Sequence, residues 1–155
     1  MKKSERIETF IDSLPVPPPG CNGLPRGYLG FFDCFNRQLY YEAHDVLEHL
    51  WLADRSGPDA AFYKGLIQIA GAFVHLKKQR ERPDHPTDGR RLRPAARLFR
   101  LAVASLEGYP ARHRSLDLEE VRRFCERHSQ AIEGAHYRVN PWQPGCAPQL
   151  SPGCA

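Results

Sequence analysis

The sequence lacks the features that define several large classes of protein. No apolar run is long enough to cross a membrane, and residues 1–8 mix Lys and Arg with Glu where a secretory signal needs an unbroken apolar stretch. The five cysteines are an odd number without a Cys-x-x-Cys pair, which argues against a closed disulfide framework and against a zinc ribbon. We therefore expect a protein of the reducing cytoplasm with no membrane partner.

The signatures of well-understood catalysis are also missing. There is no phosphate-binding glycine loop and no Gly-x-Ser-x-Gly elbow, so nucleotide hydrolysis and serine-hydrolase chemistry have no support. Net charge is low as well, at a formal +4 over 155 residues. It is concentrated between Lys77 and Arg100, where nine Lys or Arg accompany three acids, so the rest of the chain is slightly acidic.

What is present predicts one all-helical domain. A chain of 155 residues with 41% hydrophobic and 26% charged residues has ordinary globular composition and suffices for one hydrophobic core. Apolar residues recur at three- and four-residue spacing between proline- and glycine-containing breaks, which is the pattern of amphipathic helices joined by turns. We expect a compact bundle of five to six helices in residues 1–139 and a disordered tail at 140–155, which has little to bury.

Caps and breakers give the helix boundaries. The predicted helices cover residues 4–14, 28–35, 40–53, 58–79, 88–107 and 117–132, with an extended connector at 15–27. Ser56 is the expected N-cap of the fourth helix, and Asp59 stands where a capping-box acid belongs. Pro94 leaves two alternatives for the fifth: it begins near Pro94, or it begins after Thr87 and kinks at Pro94.

The predicted third helix carries an unusual density of ionisable residues. His44 and Glu48 are four residues apart, so they lie together at the edge of the apolar face, beside Tyr41 and Trp51. Such a pair can bind a divalent metal or exchange a proton with a substrate. His44 and His49 are five residues apart and point to different faces, which excludes the zinc-protease motif.

A ligand or metal pocket needs groups from a second helix, and the fourth helix can supply them. Gln68 and His75 are seven residues apart and share a narrow polar stripe bordered by small residues. If the third and fourth helices form an antiparallel hairpin, this stripe meets His44 and Glu48 across their interface. We therefore predict a pocket of His44, Glu48, Gln68 and His75 for a small ligand, or for a divalent metal held by His44, Glu48 and His75, in which acid–base hydrolysis could occur.

Five residues of the third helix fill a Glu-x-His-[Asp/Glu]-x-x-Glu-x-x-Trp pattern; they are Glu42, His44, Asp45, Glu48 and Trp51. With this pattern, and with residues 65–70 followed by His75, the chain resembles the domain-of-unknown-function 309 family over about residues 31–106. The resemblance implies a helical fold and brings no established activity. The candidate ligand-binding residues around the pattern are Tyr41, Glu42, Trp51 and Gln68.

Two alternatives remain beside the pocket. The pair of His44 and Glu48 can be a structural polar network in a non-enzymatic interaction module, with a protein or small molecule as partner. The basic residues of the fifth helix recur at three- and four-residue spacing opposite its apolar side, as expected for binding a polyanion such as nucleic acid, although a solvated helix face has the same pattern. These basic residues are Arg90, Arg93, Arg97 and Arg100.

Overall fold

The computed structural model describes residues 2–17, 20–21 and 23–153, and its described part confirms the predicted all-helical fold. The six helices are α1 (Lys3–Asp12), α2 (Arg26–Asn36), α3 (Tyr40–Ala53), α4 (Ala60–Glu81), α5 (Leu92–Leu106) and α6 (Leu118–Gly134). A small antiparallel hairpin, β1 (Arg112–His113) with β2 (Leu116–Asp117), joins α5 to α6. Short 3-10 turns lie at Asp88–Arg90 and Pro144–Cys146. Residues 18, 19 and 22 of the predicted connector and residues 154–155 of the predicted tail lie outside the described residues.

The helix boundaries decide between the two alternatives for the fifth helix and correct the predicted cap of the fourth. Helix α5 begins at Leu92, so Pro94 lies in its first turn, where a backbone N–H has no partner within the helix and its absence causes no kink. Asp59, and not Ser56, is the N-cap residue of α4. The predicted cap at Ser56 was wrong because the preceding residues close turns of their own, with the N–H of Gly57 bonded to the carbonyl of Asp54 at 3.1 Å.

Helix α4 lies at the centre of the bundle, between α3 and α5, while α2 packs on α3 and α6 packs on α5. The fully buried ring of Phe73 on α4 marks this centre. Its centroid lies 5.2 Å from that of Phe35, 5.1 Å from Tyr40, 5.4 Å from Phe99 and 5.7 Å from Phe124. These rings come from α2, α3, α5 and α6, so one aromatic cluster joins five helices.

Helices α4 and α5 approach closely because Gly65 has no side chain. A Cβ atom at Gly65 would lie 2.8 Å from both Cγ and Cδ2 of Leu106 and 3.4 Å from the carbonyl oxygen of Ala102. Leu106 is itself fully buried, so it has no free space into which to move.

The residues after α6 are irregular, yet the described part of them packs on the bundle. Trp142 is 3% exposed, and its indole N–H donates to the hydroxyl of Tyr40 at 3.0 Å. The side chain of Asn36 donates to the carbonyl of Leu150 and accepts from its N–H, both at 2.8 Å. This packing differs from the disorder expected at residues 140–155, because one large aromatic residue and one side-chain amide hold a segment that is otherwise poor in apolar residues.

The cysteines also depart from expectation in one respect. Cys34, Cys125 and Cys146 are free thiols, whereas Cys21 is buried and disulfide-bonded, which is not expected in a reducing cytoplasm. Cys154 lies outside the described residues. Separately, none of the helices within the described residues is long and apolar enough to span a membrane.

Gly65→Ala is expected to lower the free energy of unfolding by about 1 kcal/mol, measured by urea denaturation. Overpacking against Leu106 costs about 1–3 kcal/mol, and the better helix propensity of alanine returns up to about 1 kcal/mol. The matched control is Gly71→Ala in the same helix, whose Cβ would meet only Cδ1 of half-buried Leu98 at 3.3 Å. The control should keep or slightly raise stability. Equal losses in the two variants would contradict a close contact specific to Gly65.

Candidate functional site

The pair of His44 and Glu48 lies half-buried on α3, and α1 covers one side of it. Nε2 of His44 is 3.8 Å from Oε2 of Glu48, and its Nδ1 is 3.3 Å from Oδ1 of Asp45. From α1, Nζ of Lys3 lies 3.3 Å from Asp45 and 3.7 Å from Glu48. The hydrogen bond to Asp45 is the main cause that raises the pKa of Lys3. These four side chains form a partly exposed ion cluster that ties α1 to α3.

Gln68 and His75 of α4 face away from this cluster. Oε1 of Gln68 accepts a hydrogen bond of 2.8 Å from the hydroxyl of Ser105 on α5. Nδ1 of His75 lies 3.0 Å from Nη1 of Arg91, just before α5. Burial and the neighbouring guanidinium lower the pKa of His75, which keeps the ring neutral near pH 7. The predicted pocket of four residues is therefore not formed, since α4 presents this stripe to α5.

The metal set proposed from the sequence, His44, Glu48 and His75, is likewise not brought together. In the part of the chain that the structure describes, no group of three or more His, Cys, Asp or Glu side chains could hold a metal ion. The divalent-metal expectation rested on His75 meeting α3, and His75 lies instead beside Arg91.

A cavity of about 370 Å³ lies between α1 and α3, beside the ion cluster; we call it the α1–α3 cavity. Its apolar wall is formed by Ile7, Phe10, Leu39 and Val46. Its charged lining residues are Lys3, Arg6, Glu42 and Asp45, and Tyr41 and Cys34 also line it. The candidate residues Tyr41 and Glu42 thus lie at a concave site.

The charged residues of the α1–α3 cavity are of two kinds. Lys3 and Asp45 are paired with one another at 3.3 Å. Arg6 and Glu42 are exposed, and within the described residues neither side chain takes part in an ion pair or a hydrogen bond. Cys34 is fully buried, and burial, with Asp33 and Glu42 adding to it, raises its pKa to about 11.

A second cavity of about 230 Å³ lies on the other side of Tyr41 and Glu42, towards the end of α4. Val74, Lys77, Lys78 and Glu81 contribute to its lining. The side chain of Tyr41 is 59% exposed between the two cavities, with Nζ of Lys78 5.8 Å from its ring centroid. Tyr41 and Glu42 therefore form a ridge with a cavity on each side.

The remaining candidates lie elsewhere. Trp51 is near the C-terminal end of α3, where the guanidinium of Arg55 lies 5.9 Å from its ring centroid. Arg93, Arg97 and Arg100 are exposed on α5, and Arg90 is exposed in the preceding 3-10 turn.

Part of the predicted arginine stripe is engaged within the protein. Arg93 stacks on Tyr137 with 4.0 Å between its guanidinium carbon and the ring centroid, and Arg100 is paired with Glu133. The internal contacts of these two arginines leave less of the stripe available to a polyanion than the sequence suggested.

One charged cluster, around Asp59, was not predicted from the sequence. Asp59, which is 5% exposed, binds Nε2 of His113 at 2.6 Å through one carboxylate oxygen. The other oxygen accepts from Nε and Nη2 of Arg114 at 2.9 and 2.6 Å. Arg114 and Ser115 form the tight turn of the hairpin with φ of 49° and 62°, a left-handed conformation that costs non-glycine residues energy. Asp59 thus anchors a strained turn to the start of α4.

Asp59→Asn is expected to lower the free energy of unfolding by about 2–3 kcal/mol at pH 7, below the usual cost of breaking a fully buried pair because His113 and Arg114 are partly exposed. Burial alone would raise the pKa of Asp59, but hydrogen bonds from His113 and Arg114 hold it below its usual value. The contribution of the ionised Asp59 side chain to the free energy of unfolding is therefore complete above its pKa in the unfolded chain, about 3.9. This contribution is lost as the pH falls through its lower pKa in the folded protein.

Thermal and urea unfolding from pH 7 to pH 2.5 check this prediction. The difference in free energy of unfolding between the wild type and Asp59→Asn should become smaller below about pH 4. Asp84→Asn, at an exposed loop aspartate, is the matched control and should change stability by less than about 0.5 kcal/mol. A difference in free energy of unfolding that stays constant down to pH 2.5 would contradict the conclusion that ionised Asp59 holds the turn to α4.

Comparison with known proteins finds one family that is similar to the central part of the chain. Residues 28–83 match the family described as Domain of unknown function (DUF309). No curated protein and no solved structure matches the chain significantly. The matched segment contains α3 and α4 together with most of α2, whereas α1 and α5 lie outside it. The similarity of this chain to the DUF309 family therefore covers residues 28–83.

Proposed function

We propose that this protein is a ligand-binding module whose site is the α1–α3 cavity. The observation that carries the proposal is the position of Glu42 and Asp45, two residues of the pattern on α3, in the wall of a cavity of about 370 Å³. Pockets for small molecules span about 300–1,000 Å³ and combine an apolar lining with a few polar groups. The α1–α3 cavity has this composition at the small end of that range.

The lining of the cavity supports binding rather than hydrolysis. Of the described residues that line it, none is a histidine, and His44 is engaged by Asp45 and Glu48. Cys34 is the one thiol in the lining, and its pKa of about 11 keeps it protonated near neutral pH, so it is a poor nucleophile. The cavity thus offers charges that can bind a ligand, without an activated nucleophile beside them.

Helix α1 supplies a natural route of entry. Within the described residues α1 has no fully buried side chain. It is held to α3 by partly exposed pairs, Lys3 with Asp45 at 3.3 Å and Glu8 with His49 at 3.6 Å. Exposed pairs contribute about 0–1 kcal/mol each, so α1 can move away locally at a smaller cost than unfolding of the bundle.

The proposal is tested by titrating the ¹⁵N-labelled protein with a set of small fragments that includes cations, anions, zwitterions and neutral aromatics. Saturable binders should shift the amide resonances of residues 6–10 and 39–46. Ile7→Trp should weaken these binders about tenfold or more, because the indole fills the cavity. Leu101→Trp, at an apolar residue of α5 that is 40% exposed, is the matched control and should leave binding unchanged.

Two results would overturn the proposal. One is a complete lack of saturable shifts at residues 6–10 and 39–46 with every fragment. The other is binding that persists unchanged in Ile7→Trp, since a ligand in the cavity cannot coexist with the larger side chain.

A further inference from the structure

We infer that the ligand of the α1–α3 cavity is a small zwitterion with an apolar body, of the class of an α-amino acid with an apolar side chain. This inference rests on the proposed function, and it adds the chemical class of the ligand. Three properties of the cavity lead to it: the signs of its free charges, the nature of its wall and its size.

The free charges of the cavity are one cation and one anion on different helices. Arg6 projects from α1 and Glu42 from α3, and among the described residues neither has an ion-pair partner. A ligand that carries both signs offers a partner to each of these two side chains. The guanidinium of Arg6 matches a carboxylate with two parallel hydrogen bonds, and the carboxylate of Glu42 accepts from an ammonium group.

The same charges disfavour ligands of one sign. A polyanion would meet Glu42 and Asp45, and a dication would meet Arg6 and Lys3. Repulsion between like charges opposes binding, so the lining disfavours both a polyanion and a dication. A neutral apolar ligand would leave Arg6 and Glu42 without partners and would gain nothing from them.

The wall and the size of the cavity set the rest of the ligand. Ile7, Phe10 and Leu39 are half-buried and Val46 is buried, so the cavity also has an apolar wall that can contact an apolar ligand body. The volume of about 370 Å³ lies at the small end of ligand pockets. A single amino acid with an aliphatic or aromatic side chain fits within this volume and has this combination of polar and apolar groups.

Three probes that share one phenyl group test the inference, again by NMR titration of the complete protein. L-phenylalanine carries both charges, phenethylamine lacks the carboxylate, and 3-phenylpropanoate lacks the ammonium. L-phenylalanine should bind at residues 6–10 and 39–46 with the highest affinity, and each analogue should bind about fivefold more weakly, as expected for the loss of one exposed ion pair.

Two charge variants assign each end of the ligand. Glu42→Gln should weaken the binding of L-phenylalanine and phenethylamine about fivefold and should leave that of 3-phenylpropanoate unchanged or slightly stronger, because one like charge is removed. Arg6→Gln should weaken the binding of L-phenylalanine and 3-phenylpropanoate by the same factor and should leave that of phenethylamine unchanged or slightly stronger. Both side chains are exposed, so the variants should fold, which a thermal melt verifies. Glu107→Gln and Arg80→Gln, at exposed residues elsewhere, are matched controls and should change none of the affinities.

The outcomes separate this inference from the proposed function. If phenethylamine or 3-phenylpropanoate binds at residues 6–10 and 39–46 as tightly as L-phenylalanine, the zwitterion class is wrong while the cavity remains a binding site. The same conclusion follows if other fragments bind there and none of the three probes does. If neither the fragments nor the probes shift these residues, both the inference and the proposed function fail.

Discussion

The contact on which the bundle depends is the packing around the ring of Phe73. Rings from α2, α3, α5 and α6 lie within 5.1–5.7 Å of it, measured between centroids, so every long helix except α1 is fixed against the same residue of α4. Helix α1 does not reach this cluster. Its position is set by apolar contacts at the glycines of α2, such as Ile11 near Gly27, and by ion pairs to α3. The α1–α3 cavity occurs where this less firmly held helix meets the rigid part of the fold.

Local sequence determined the helices well, because periodicity, caps and breakers act over a few residues. The predicted helix at residues 40–53 coincides with α3, and Pro94 lies where a first-turn proline is tolerated. Sequence could not determine which face of α4 meets which neighbour. Apolar residues surround most of α4, since it packs between two helices, and a polar stripe on such a helix does not reveal its partner. For this reason Gln68 and His75 were predicted to face α3, whereas they contact Ser105 and Arg91.

Interactions between distant parts of the chain also left no local signal. Asp59 and His113 are 54 residues apart, and Asn36 and Leu150 are 114 apart, so no spacing rule relates them. In the candidate site, Tyr41 and Glu42 were predicted from the sequence as ligand-binding residues, and both line the α1–α3 cavity. The residues across the cavity from them come from α1. The position of α1 against α3 depends on the proline-rich connector, for which the sequence predicts only that it interrupts the helices.

The two tryptophans lie in opposite environments, with a consequence for optical work on this protein. The indole of Trp142 is enclosed and bonded to Tyr40, while that of Trp51 is half-exposed beside Arg55. A dissolved quencher such as iodide, drawn by the nearby guanidinium, reaches Trp51 and is kept from Trp142. The intrinsic fluorescence therefore divides into a component that reports on the end of α3 and a component that reports on the docking of the C-terminal segment.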